Sequence, residues 1–190
     1  MTSQQAPGVG RPLEVSVHGH PNADTLLLWH PGVRTELDAV TALASRIAGR
    51  SSVRVVVPVW TDGRDLLRSV RFARESSVHP PDGLSVVGYG AAGIAALSLA
   101  QHQRRLGIGL VRATCVDAGP GIEDPISRQP LGAPVAAPVE TAIDVVDPGS
   151  ANDPDASAWA RETVEAWRVS GWEATLVPPA QFTWRVSPSQ

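Results

Sequence analysis

Lysine is absent from this chain of 190 residues, and cysteine, methionine and tyrosine each occur once. A single cysteine, Cys115, excludes an internal disulfide and a cysteine-built zinc cluster. Its apolar surroundings predict a buried filler rather than a nucleophile. All positive charge comes from arginine, and it is outweighed by 19 acidic residues to a formal net charge of −3. Binding to nucleic acid through phosphate requires clustered positive charge, so a nucleic-acid partner is not expected. The short basic stretches "RSVRFAR" and "QHQRR" fall on helix-patterned segments and read as solvated faces. No apolar run approaches the roughly 20 residues that span a bilayer, and the opening "MTSQQAPGVGRP" lacks the charged and apolar regions of a signal peptide. The expectation is a soluble cytoplasmic protein with no membrane partner. Histidine does not recur after His102, which leaves the C-terminal part of the chain without an imidazole.

What is present is a regular alternation of segments. Hydrophobic residues make up 43% of the chain, enough for one domain with a substantial core. "LEVSVHG" alternates apolar and polar residues like an edge strand, and "HPNAD" supplies turn chemistry before the apolar run "TLLLWH", so the pair reads as a hairpin. Residues 35–49 then carry Leu37, Val40, Leu43, Ala44 and Ile47 at helical spacing and are followed by the strand "VRVVVPVW". A second helix, "GRDLLRSVRFARE", precedes "LSVVG"; a third runs to about Arg105; "LVRATCVDAG" and "ETAIDVVD" read as buried strands. A helix from about Asp155 to Ser170 and the strand "WEATLVP" complete the series, with Trp159, Trp167 and Trp172 expected to hold that helix against the sheet. Strands alternating with helices predict an α/β fold, a single-domain, mostly parallel doubly wound sheet with helices on both faces. The domain is expected over residues 13–186, with flexible tails at 1–12 and 187–190.

The chemistry-bearing stretch is "VVGYGAAG", where Gly88, Gly90 and Gly93 spell G-x-G-x-x-G. In a dinucleotide-binding domain that fingerprint lies in the first strand-to-helix unit, with an acidic residue ending the next strand. Here at least three strands come first, so no nucleotide cofactor is expected. Two readings remain: an ordinary tight turn of a flavodoxin-like sheet, and a nucleophile elbow, in which G-x-S-x-G makes a sharp turn between strand and helix.

The segment order and these motifs resemble the α/β-hydrolase family, in the small form of dienelactone hydrolases, esterases and thioesterases. "LLLWHPG" is similar to the family's strand and oxyanion loop, and "VVGYGAAG" to its elbow with Gly90 in the place of serine. "TAIDVVDPGSANDPD" resembles the acid-bearing loop and puts Asp153 at the acid position, with Asp117 and Asp147 as alternatives. "WEATLVPPAQFTW" resembles the last strand and the loop that carries the base, where Gln181 stands, or Ala180 in a register shifted by one. The resemblance thus implies a degenerate triad. Gly90 has no side-chain oxygen, and Gln181 cannot exchange a proton near neutral pH, so the unit of nucleophile, base and acid is broken. The elbow residue occupies strained backbone that costs most residues about 1–3 kcal/mol, and glycine enters it freely.

Some features are expected to outlast the chemistry. Amides near Gly32 or Val33, with the amide of Ala91, form the expected oxyanion hole. His30 shapes that loop or touches a ligand, Trp60 and Tyr89 line a pocket, and Asp117 ends a strand at the sheet edge where ligands bind in open α/β folds. His18 and His20 share one strand face, but no third ligand joins them, so no metal is expected. The Pro-rich connector between Gly119 and Pro138 leaves no room for a helical lid, so the pocket is open unless a homodimer or a protein partner covers it. The resemblance implies a non-hydrolytic protein binding a small carbonyl- or acyl-containing molecule, such as a tailoring isomerase or cyclase of bacterial secondary metabolism. The alternatives are a structural or regulatory pseudoenzyme acting through a protein partner, and an esterase or thioesterase using non-standard residues.

Overall fold

The computed structural model describes residues 12–32, 37–78, 83–136 and 140–184, and the backbone of 2–5. Among the described residues eight strands are found: β1 (Thr2–Gln5), β2 (Glu14–His18), β3 (Thr25–Trp29), β4 (Arg54–Pro58), β5 (Leu84–Tyr89), β6 (Leu110–Val116), β7 (Ala142–Val146) and β8 (Ala174–Val177). Four helices lie between them: α1 (Leu37–Ser51), α2 (Gly63–Glu75), α3 (Ala91–Leu106) and α4 (Pro154–Val169). The strands form one sheet in the order β1-β2-β4-β3-β5-β6-β7-β8. Pairing is parallel from β4 to β8 and antiparallel at β1–β2 and β2–β4.

This order corrects the expected hairpin. β2 does not pair with β3; β4 lies between them, with Val17 opposite Val56 and Leu27 on the other side of Val56. All five residues of β4 are buried, and a buried strand needs a partner on each edge to satisfy its N–H and C=O groups. The turn at His20–Ala23 therefore carries the chain past one strand position rather than back along its own edge. Thr2–Gln5, expected as tail, pair with β2. "TSQQ" has no apolar signal because an outermost strand can be held through its backbone alone. Residues 187–190 and the first residues of the expected first helix, 35 and 36, lie outside the described residues.

The pleat divides the core in two. Leu27, Trp29, Val56, Val86, Cys115, Ile143 and Val145 point to the face that α2, α3 and α4 cover. Leu28, Val55, Val57, Val87, Tyr89, Val116 and Val146 point to the other face, covered by α1 and by Phe182 and Trp184. Residues 92 to 100 of α3 are buried on all sides. Their alanines let the helix press onto the centre of the sheet. Asp62 caps α2 by accepting from the amides of Arg64 and Asp65, as short acceptors do at helix starts. Trp167 and Trp172 meet edge to face with centroids 4.8 Å apart, fixing α4 to β8.

The Pro-rich connector is anchored. Asp124, 1% exposed, accepts from the amides of Ile126 and Ser127, and Ile122, Ile126 and Leu131 add to the core. Val135 accepts from the Trp172 indole at 2.8 Å. Among the described residues the connector contains no helix, and no helix is long and apolar enough to cross a membrane.

Candidate functional site

β5 runs directly into α3 through one residue, Gly90, with φ 58° and ψ −126°. Its amide donates to the Val116 carbonyl at 2.8 Å, and its carbonyl accepts from Gly93 at 2.9 Å, which pins the turn between β6 and the helix. The three glycines of the motif serve two different purposes. A Cβ on Gly88 would overlap the Ala92 carbonyl, and one on Gly93 would lie 2.8 Å from the Cys115 sulfur and 2.9 Å from the Gly88 oxygen. These two permit strand and helix to approach. Among the described residues a Cβ on Gly90 would meet nothing nearer than the Asp117 carbonyl at 3.9 Å and Pro31 at 4.0 Å. Position 90 is therefore restricted by backbone conformation, not by space.

Beside the elbow lies the loop after β3. His30 is 1% exposed, and its Nδ1 accepts from the Gly32 amide at 3.1 Å. Burial lowers its pKa, opposed by backbone groups at Gly32 and Pro58. The ring is neutral at neutral pH, and the bond to Nδ1 assigns its proton to Nε2. That Nε2 is buried without a partner at hydrogen-bond geometry, although the Pro58 backbone is near enough to act on the ring. The Trp60 indole donates to the His30 carbonyl at 2.9 Å, and the two rings lie 5.9 Å apart. One expected oxyanion donor is thereby removed, since the Gly32 amide points into its own loop and is already bonded. Val33 lies outside the described residues. The Ala91 amide stands in the first turn of α3, where N–H groups have no partner within the helix.

Tyr89 also departs from the expected pocket lining. It is 1% exposed, and its hydroxyl donates to the Trp184 carbonyl, so it ties the segment after β8 to the sheet. Trp60, 6% exposed, supports the His30 loop from beneath.

The residues expected at the acid and base positions are engaged elsewhere or exposed. Asp153 is the N-cap of α4, with one carboxylate oxygen accepting from the Ala156 amide at 2.9 Å. Asp147 follows β7 directly; the Ser157 hydroxyl and the Gly149 amide bond its carboxylate and lower its pKa. Gln181 is exposed, and among the described residues its side chain makes no hydrogen bond. The three positions are not joined by any hydrogen bond.

Asp117 and Asp153 do meet across a cavity of about 460 Å³ at the C-terminal edge of β6 and β7, with Ile122, Pro148, Asp155 and Ala156 among its other walls. Asp117 adopts φ 50°, and its carbonyl borders the open side of Gly90. Among the described residues the wall carries carboxylates and no cation, so it disfavours anionic ligands. Asp155 was not foreseen as part of this edge; its only sequence signal is its place just after an Asp-Pro helix start. Elsewhere, His18 bonds to Ser45 and Ser16, while His20 accepts from Asn22 in the turn, so the two imidazoles serve separate structures. Burial pushes the Cys115 thiol well above its ordinary pKa, as befits an inert core residue.

A doubly wound sheet with an antiparallel second strand, its strand order reversed at β3 and β4, and a one-residue elbow after β5 defines a narrow class. No family model and no curated protein matches the chain by sequence. Solved structures do match. An esterase from Pyrobaculum calidifontis aligns with a TM-score of 0.68 at 15% identity, over 93% of this chain and 74% of that one. A carboxylesterase from Mesorhizobium loti aligns with a TM-score of 0.63 at 13% identity, over 93% and 88%. An esterase of the bacterial hormone-sensitive lipase family gives 0.66 at 15% identity, over 97% and 77%. The chain has the α/β-hydrolase fold.

Proposed function

We propose that this protein binds a small, uncharged carbonyl- or acyl-containing molecule at the Gly90 elbow and does not hydrolyse it through a serine triad. The observation that carries this reading is the elbow itself: nucleophile-type dihedrals at a residue with no side chain, uncrowded by any of the described residues. Supporting it, Asp153 is engaged in capping and Gln181 has no acid partner. In such a site the Ala91 amide and the α3 N-terminus polarise a carbonyl oxygen, and the carboxylate-lined edge repels acids. Any isomerisation or cyclisation would rely on orientation, with the substrate supplying its own base.

A second reading, an esterase with non-standard residues, is favoured by the likeness to solved esterases; Asp117, exposed beside the elbow, is then the available base. A fluorophosphonate probe with a panel of p-nitrophenyl and thioester substrates separates the two. The expected outcome is no labelling and no turnover. Robust turnover abolished by changing one Ser or His, or Asp117, overturns the first reading.

A further inference from the structure

At the end of the sheet opposite Gly90, the C-terminal turns of α2 and α3 border another cavity, of about 550 Å³. It lies roughly one length of α3 from the elbow, 16 residues or about 24 Å at about 1.5 Å per residue. Its floor is apolar: Leu67 and Val70 from α2, Leu106 and Ile108 from the end of α3 and beyond. Its charge comes from Arg71, Arg74 and Glu75. The spacing 67, 70, 71, 74 places the apolar and basic residues of α2 on one face.

Among the described residues the fold around them makes no use of these arginines. The carbonyls at the end of α2 are already served: Phe72 accepts from the Ser76 amide and hydroxyl, Arg74 from the Ser77 amide, and the buried Arg54 holds the Ser76 hydroxyl at 2.8 Å. Arg68 pairs with Asp65 and Arg112 with Asp144. Among the described residues neither Arg71 nor Arg74 has an acceptor, no ion pair joins Glu75 to either, and the Arg74 Nε–H is buried unpartnered. Guanidinium heads beside an apolar floor fit a planar carboxylate with a hydrocarbon tail. Glu75 adds a repulsive element against heads of higher charge, such as phosphate.

We propose that this cavity is a binding site for an amphipathic monocarboxylate, with the carboxylate on Arg71 and Arg74 and the tail over Leu67, Val70, Leu106 and Ile108. The site is independent of the elbow and of the function proposed there. Isothermal titration of the full chain with decanoate, decanol and decylamine below their aggregation thresholds tests it. Decanoate is expected to bind saturably at one site, with the other two at least about tenfold weaker, as the loss of a charge-assisted pair implies. The double change Arg71→Gln with Arg74→Gln should weaken decanoate by about tenfold or more without shifting the Tm of the free protein, while Asp117→Asn should leave binding intact. Should the double variant fail to fold, Leu106→Trp, at a position 38% exposed, fills the cavity and should abolish binding. No saturation, equal binding of decanol, or unaltered affinity in the arginine or Leu106 variant overturns the proposal.

Discussion

The elbow after β5 and the loops after β7 and β8 stand along the same edge of the sheet, yet they differ in what holds them. At the elbow every constraint is local and severe: Gly88 and Gly93 are enclosed by backbone and Gly90 is set in a conformation few residues tolerate. The other two loops are held by work of another kind, since Asp153 caps a helix, Asp147 closes the strand–helix connection, and Gln181 is exposed in a turn. Backbone packing thus fixes the elbow, whereas Asp153 and Asp147 serve the cap and the connection of their own elements.

The comparison breaks most readily at the glycines. Gly88→Ala or Gly93→Ala should cost about 3 kcal/mol or more, because a backbone clash cannot be relieved by a rotamer change; chemical denaturation measures it. Gly90→Ala should cost about 1–3 kcal/mol, the strain alone, and a loss as large as that at Gly88 would mean that position 90 is crowded after all. Asp153→Ala removes an N-cap and should cost about 0.5–2 kcal/mol.

A smaller effect follows from His30. Its folded-state pKa lies below the ordinary 6.5, so as pH falls the unfolded chain takes up the proton first. Stability is complete above about 6.5 and is lost through the window down to the lowered pKa. His18 shifts in the same direction, so His30→Asn should reduce the slope of stability against pH without removing it. The smallest signal is catalytic: a gain of weak esterase activity in Gly90→Ser with Gln181→His, read by kinetics on p-nitrophenyl acetate, would support residues 90 and 181 as the nucleophile and base positions.

Much of this was legible in the residues. The helices, the buried strands and the elbow follow from periodicity and from glycine spacing, which report local constraints. The position of β4 between β2 and β3 was not, because strand order depends on which edges find partners, and "LEVSVHG" looks the same beside either neighbour. Nor could the sequence show that the Gly32 amide turns inward to His30, that Tyr89 holds the segment after β8, or that Asp124 is buried beneath the connector. Each depends on a contact between residues whose types permit other partners equally well.

The bond from Tyr89 to Trp184 has a bearing on how the protein behaves in solution. Phe182 and Trp184 lie over the sheet face that contains Val116 and Val146, and a net charge of only −3 gives little mutual repulsion between molecules. Tyr89→Phe removes the bond that fastens this cover, and the expected readout is turbidity on concentration.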